Sequence, residues 1–222
     1  MRDFVASLFF GGSCLICRGG SRELLCAACA AELPRLPAGC PRCALPSPQG
    51  ALCGRCLAEP PHYDATVAVF AYDFPADALV HALKFRAELG LARFLGRLIA
   101  GQVASTDVDH VVPVPLAAAR LRARGYNQAV EIARHIRPSR LRLDLCTRGR
   151  DTPPQMDLPW AERRRNVRGA FACARALAGT AVAVVDDVMT TGATLDEVAR
   201  TLKRAGAARV TNWVVARTLL PS

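Results

Sequence analysis

The chain has 222 residues, 51% hydrophobic and 22% charged, with 15 prolines and 16 glycines. This composition excludes a disordered chain, which carries far less apolar side chain, and supports a globular protein with a core. Its 29 basic residues exceed the 19 acidic ones by 10, and the excess is concentrated. Fourteen arginines lie between Arg120 and Arg175, against Glu131, Asp144, Asp151, Asp157 and Glu162. Such a cluster either faces an anionic partner, a phosphorylated small molecule or a nucleic-acid backbone, or forms a solvated basic face. No apolar run reaches the roughly 18 residues of a membrane span. The nearest, Phe4 to Phe10, is short, follows Asp3 and runs into Gly11-Gly12 without a cleavage signature. A cytoplasmic protein with no membrane span is expected.

Eight of the ten cysteines form four C-x-x-C pairs, Cys14/Cys17, Cys26/Cys29, Cys40/Cys43 and Cys53/Cys56, separated by 8, 10 and 9 residues. A two-residue spacer lets two thiolates face one tetrahedral ion, and two such pairs complete a closed structural zinc site. Eight thiolates predict two structural Zn²⁺ ions. Sequential ligation is the preferred grouping, although a cross-braced pairing of first with third and second with fourth uses the same spacings. A disulfide framework would need an oxidising compartment, and a redox pair would not occur four times. The first and third pairs read as turn-rich knuckles, whereas Cys26-Ala-Ala-Cys29 and Cys53-Gly-Arg-Cys56 read as starts of short helices. A module of about 60 residues with few aliphatics needs such staples to fold. The remaining Cys146 and Cys173 have no partner spacing and read as semi-buried residues.

Pro60-Pro61 marks a boundary between a cysteine module over 1–60 and a second domain over 61–222. Beyond it, short β-branched runs alternate with helical stretches, the pattern of an α/β domain with a parallel sheet. Strands are predicted at Ala65–Ala71, His110–Val114, Leu141–Leu145, Ala181–Val185 and Val210–Ala216. Helices are predicted over Ala76–Val103, broken near Ala87–Gly90, then Asn127–Ile136 and Ala193–Ala205. The last carries Leu195, Val198, Ala199 and Leu202 on one face and stops at Gly206.

The richest stretch runs from Ala181 to Leu195: a buried strand, the acids Asp186 and Asp187, then Thr190, Thr191, Gly192, Ala193 and Thr194 opening a helix. At a strand-to-helix junction several backbone N–H groups converge and the helix dipole adds positive potential. Residues 190–194 therefore form a phosphate cup. Two carboxylates beside a phosphate would repel it unless they served a neutral part of the same ligand. A ribose, whose 2′ and 3′ hydroxyls donate hydrogen bonds to Asp186 and Asp187, satisfies that condition.

This stretch closely resembles the 5-phosphoribosyl 1-diphosphate (PRPP) motif of type I phosphoribosyltransferases. Together with the cysteine module, the chain resembles the ComF/GntX family, named for competence and gluconate utilisation. The resemblance extends to Val112-Pro-Val-Pro115-Leu116, Arg120 to Gln128, His81-Ala-Leu-Lys84-Phe85, and Arg148, Thr152, Gln155, Leu158, Arg164, Asn166 and Phe171. It implies a type I phosphoribosyltransferase-like parallel sheet behind an N-terminal zinc-binding module. Ala193 stands where many type I enzymes have a second glycine, a change expected to adjust phosphate binding without abolishing it.

The resemblance further implies that the turn after Val112-Pro-Val-Pro115 holds pyrophosphate. Arg120, Arg122 and Arg124 are placed to fork onto it, with Mg²⁺ bridging PRPP oxygens. Thr147–Arg168 would be a lid over the reacting sugar. Lys84 joins the implied PRPP-binding set, and Asp186, Asp187 and Arg164 the catalytic set. No base-reading constellation and no nucleophile–base pair is evident, so catalysis would rest on positioning and electrostatics. Three readings follow: phosphoribosyl transfer from PRPP; a PRPP-sensing accessory protein whose arginines and zinc module engage single-stranded DNA, with a role in DNA uptake and a partner in the competence machinery; and a zinc-dependent interaction module with a vestigial pocket. The acid pair and phosphate cup disfavour the third. Few aromatics between Arg120 and Arg175 (Tyr126, Trp160, Phe171) weigh against simple DNA binding.

Overall fold

The structure, a computed structural model, describes residues 12–149 and 167–219. The N-terminal part consists of two small knuckle-and-helix units. In the first, β1 (Gly12–Ser13) pairs antiparallel with β2 (Gly20–Ser21), and α1 (Ala27–Ala31) starts directly after Cys26. The second turns at Cys40–Cys43, where Gly39 bridges Pro46, and continues into α2 (Gly54–Ala58) directly after Cys53. Both expected short helices are present.

Four parallel strands form the central sheet: β3 (Ala65–Ala71), β4 (His110–Pro113), β7 (Ala181–Met189) and β8 (Arg209–Arg217), in the order β3-β8-β7-β4. A parallel sheet buried on both faces reads as nearly continuous apolar sequence, and its alternate side chains enter two separate cores. Ala183, Val185, Trp213 and Val215 enter one core, packed under α3 (Ala76–Phe85), α4 (Gly90–Gln102) and α6 (Gln128–Ala133). Val182, Val184 and Val214 enter the other, packed under Leu195, Val198 and Leu202 of α7 (Ala193–Arg204). The α4–α6 crossing is close: a Cβ at Gly96 would lie 2.6 Å from the Ile132 carbonyl oxygen.

The predicted helix over 76–103 is broken where expected, with Ala87 at a positive φ between α3 and α4. Asn127 caps α6 by accepting from the Ala129 N–H at 2.9 Å. The predicted strand Leu141–Leu145 is corrected. Only Leu141 bridges Val111, while Arg142 and Asp144 turn to solvent as an ion pair and Leu143 is exposed. The strand begins instead at β5 (Cys146–Arg148), paired antiparallel with β6 (Phe171–Cys173). That register sets Cys146 directly opposite Cys173, a pairing their sequence spacing does not reveal. The structure adds a short helix, α5 (Ala118–Arg124), which ends at Gly125 in the left-handed region.

The cysteine units lie along the outer edge of β3. The Thr66 N–H donates to the Pro41 carbonyl at 3.1 Å, the Ala71 N–H to the Pro34 carbonyl at 2.8 Å, and Arg35 bridges Phe70. Backbone groups that would otherwise form an open sheet edge are thereby paired. Among the described residues no helix is long and apolar enough to cross a membrane.

Candidate phosphoribosyl site and zinc centres

Asp186 and Asp187 sit near the C-terminal end of β7, where parallel sheets open onto ligand crevices. Each carboxylate accepts from the following backbone N–H, Asp187 at 2.9 Å and Val188 at 2.7 Å, which fixes both acids on the rim. Lys84 of α3 reaches across to Asp187 with its Nζ at 2.7 Å. Burial, reinforced by the neighbouring Asp187 charge, raises the Asp186 pKa to about 8. Burial works against the Lys84 charge, but Asp187 and Asp186 outweigh it and the lysine stays protonated. A carboxyl held part-protonated in a cleft is a mark of a binding or catalytic site.

The chain then turns at Thr190–Gly192 into α7. Gly192 has φ +84°, and a Cβ there would lie 2.7 Å from Met189 Cε and 3.1 Å from the Tyr63 hydroxyl, so only glycine fits without displacement. The Thr191 hydroxyl accepts from the Ala193 N–H at 3.0 Å. Thr191 is therefore buried as a brace of the loop and does not line the cavity, unlike Thr190, Gly192, Ala193 and Thr194. The Ala193 methyl packs into the core beneath α7, and the first-turn amides of this 12-residue helix have no intrahelical acceptors.

A cavity of about 610 Å³ joins these parts, bringing Asp186, Asp187 and the helix start together with Lys84, Arg120 and Arg124. The turn Val114–Leu116 after β4 forms another wall, as the resemblance implied for a pyrophosphate turn. Arg124 donates to Gln128 Oε1 and lies 5.4 Å over the Phe85 ring. Of the predicted catalytic residues, Arg164 lies outside the described residues, as do Asn166 and most of the predicted lid.

Sequence reasoning undervalues the aromatic wall. Tyr72, Phe85 and Tyr126 all line the cavity, with Tyr126 donating its hydroxyl to the Leu83 carbonyl and Phe85 half exposed beside His81 at 4.6 Å. Phe85 and Tyr126 belong to the motifs named above, but Tyr72 follows a strand and carries no signal. The arginine cluster also divides. Arg120, Arg124 and Arg148 face the cavity, whereas Arg142 and Arg175 pair with Asp144, and Arg137 donates to the Val103 and Ala104 carbonyls.

The cysteines fall into two sequential quartets, Cys14/Cys17/Cys26/Cys29 and Cys40/Cys43/Cys53/Cys56, with all ligand atoms of each within 4.8 Å of one another. Cys17 and Cys26 sulfurs lie 3.8 Å apart, Cys43 and Cys53 sulfurs 3.6 Å, close to the ~3.8 Å edge of a tetrahedron with Zn–S of about 2.3 Å. Both sites therefore fit zinc. Each quartet begins with an acidified thiol. Backbone donors at Cys26, Cys17 and Ile16 lower the Cys14 pKa to about 6. At Cys40, burial opposes the shift, but donors at Cys53, Cys43 and Arg42 still bring it to about 6. Thiolate, the form that binds metal, is thus favoured at the first cysteine of both quartets.

The double zinc ribbon domain model matches residues 5–57, and the phosphoribosyl transferase domain model matches residues 96–218. The DNA utilization protein YhgH of Salmonella typhimurium is 36% identical over 94% of this chain and 98% of its own length. Competence protein F of Haemophilus influenzae is 31% identical over the same shares. A purine phosphoribosyltransferase from Pyrococcus horikoshii aligns at 20% identity and a TM-score of 0.37, over 56% of this chain and 80% of that one. With its two cysteine quartets in front of a parallel α/β domain, the chain belongs to the ComF/GntX family of double-zinc-ribbon, phosphoribosyltransferase-domain proteins.

Proposed function

We propose that the cavity binds PRPP and supports transfer of its phosphoribosyl group. One observation carries this reading: the Asp186–Asp187 pair and the open start of α7 share one cavity with Lys84, Arg120 and Arg124. The loop and helix amides hold the 5′-phosphate. The acid pair receives the ribose hydroxyls, the proton on Asp186 leaving as the diol docks. Arg120 and Arg124, in the same cavity as the acids, receive the diphosphate as bidentate partners. Mg²⁺ bound together with PRPP would neutralise the diphosphate charge and so favour its departure. Lys84 holds the Asp187 carboxylate in place through their 2.7 Å ion pair. Stabilisation of a cationic sugar centre then falls to these fixed charges, since the cavity offers no nucleophile–base pair among the described residues. Thiolate quartets of this kind suit a reducing compartment such as the cytoplasm. Titration calorimetry of PRPP with Mg²⁺ tests the reading: saturable one-to-one binding is expected, and its absence from folded, zinc-loaded protein would overturn it.

A second reading has its own observation. Phe85 lies half exposed at the cavity under Arg124, with Tyr72 and Tyr126 in the same wall, a stacking surface within a basic setting. Single-stranded DNA fits such a surface, and the relatives' names, DNA utilization and competence, agree with it. In this reading the chain senses PRPP while handling a DNA strand with a partner of the uptake machinery. Affinity for an oligonucleotide should then fall steeply with salt and drop on Phe85→Ala. A flat salt response would remove it.

A further inference from the structure

Behind the phosphate loop, on the side of the second cysteine quartet, lies Arg217 at the end of β8. It is fully buried. Its Nε donates to the Cys43 carbonyl at 2.9 Å. Its Nη1 donates to the carbonyls of Met189 at 2.8 Å and Thr218 at 2.9 Å, and to that of Thr190. Arg55, between Cys53 and Cys56 in sequence, donates from Nη2 to the Thr191 carbonyl at 2.9 Å. Guanidinium groups thus engage the carbonyls of Met189, Thr190 and Thr191 in succession. In a planar trans peptide the C=O of one residue and the N–H of the next point in opposite directions. Holding these three carbonyls from behind turns the N–H groups of Thr190, Thr191 and Gly192 the other way, the arrangement an anion-binding loop requires.

Arg217 has no ion-pairing carboxylate among the described residues. A buried charge without a counterion is costly, so its surroundings must supply one. On one side of Arg217 lies the thiolate quartet containing Cys43, and on the other the loop that would receive the ligand's phosphate. Among the described residues the first quartet has no such link. It packs against the other core, with Cys14 and Leu25 among residues of α3 and α4.

We infer that Arg217, assisted by Arg55, is the positioning element of the phosphate loop, and that the second cysteine quartet anchors both arginines. Phosphate binding therefore depends on the second zinc and not on the first. This rests on the phosphoribosyl reading of the cavity and deepens it, giving one of two chemically identical zinc sites a role at the ligand.

The test uses the full, zinc-loaded chain and three variants, Arg55→Ala, Arg55→Lys and Arg217→Met. Amide exchange across residues 190–196 is followed without ligand, PRPP·Mg²⁺ affinity by calorimetry, and zinc content and melting temperature as controls. Arg55→Ala should keep two zinc ions and melt only a few degrees lower, yet exchange about tenfold faster across the loop and bind PRPP about tenfold more weakly, the loss of one charge-assisted hydrogen bond. Arg55→Lys should recover part of both. Arg217→Met should exceed both effects; should it fail to fold, Arg55→Ala carries the test alone. Wild-type exchange and affinity in Arg55→Ala would overturn the inference. If the loop loosens but the wild type does not bind PRPP, the ligand reading fails and the positioning role stands.

Discussion

The two zinc ribbons share one ligand spacing, yet they meet the α/β domain in different ways. The first quartet joins the core under α3 and α4. The second joins the core under α7, where Cys40, Cys43 and Cys56 pack with Tyr63, Met189 and Ala193, residues around the proposed phosphate loop. One ribbon is a staple of the fold; the other is also the back wall of the proposed ligand site. Repetition in sequence therefore does not imply repetition of role, because the sheet has two faces and the chain delivers one ribbon to each.

The largest expected effect lies in the cavity itself. Asp186→Asn with Asp187→Asn should lower PRPP affinity by about a hundredfold or more, since each ionised acceptor to a ligand hydroxyl contributes about 1.5–3 kcal/mol. Both zinc ions should be retained, as checked by calorimetry and metal analysis. Next comes the direct contest between the ribbons. Cys53→Ser with Cys56→Ser, and Cys26→Ser with Cys29→Ser, should each reduce bound zinc from two ions to one. Only the former should also weaken PRPP binding, by about thirtyfold, as both loop anchors loosen together. Equal losses would erase the distinction.

Gly192→Ala sharpens it from the loop side. A methyl there meets Met189 Cε and the Tyr63 hydroxyl at a φ of +84°. A strain of about 1–3 kcal/mol should cost roughly tenfold or more in affinity. The smallest effect is pH. Asp186 is raised from 3.8 to about 8 in the folded protein, so the stability of its protonated form is fully present below about pH 4 and is lost as pH rises through about 8. Asp186→Asn should thus gain in melting temperature relative to the wild type as pH goes from 5 to 8. PRPP binding by the wild type should tighten about threefold from pH 7.5 to 8.5, with proton release visible as a buffer-dependent enthalpy.

Much of the site is legible in the sequence because its chemistry is written locally. The C-x-x-C pairs, the double acid and the Thr190–Thr194 turn each draw on residues adjacent in the chain, and the structure gathers them as sequential quartets and as one cavity wall. Strands β3, β4, β7 and β8 are equally plain, since burial on both faces forces continuous apolar runs. Leu141–Leu145 misleads because an alternating Leu-Arg-Leu-Asp-Leu pattern fits a strand whether or not a neighbour is available to pair with it.

The sequence by itself determined the class of this protein, two structural zinc sites before a phosphoribosyltransferase-type sheet, and pointed to the acids and the turn on which the proposed ligand site is built. Only the tertiary structure decided which ribbon stands behind the loop, that Tyr72 and Phe85 share a wall with Tyr126, and that Arg217 is a buried brace and not one more basic residue. The reason is physical. Motifs encode contacts within a few residues, whereas the partners of Arg217, at Cys43 and Met189, are 174 and 28 positions away and meet it only once the sheet has closed.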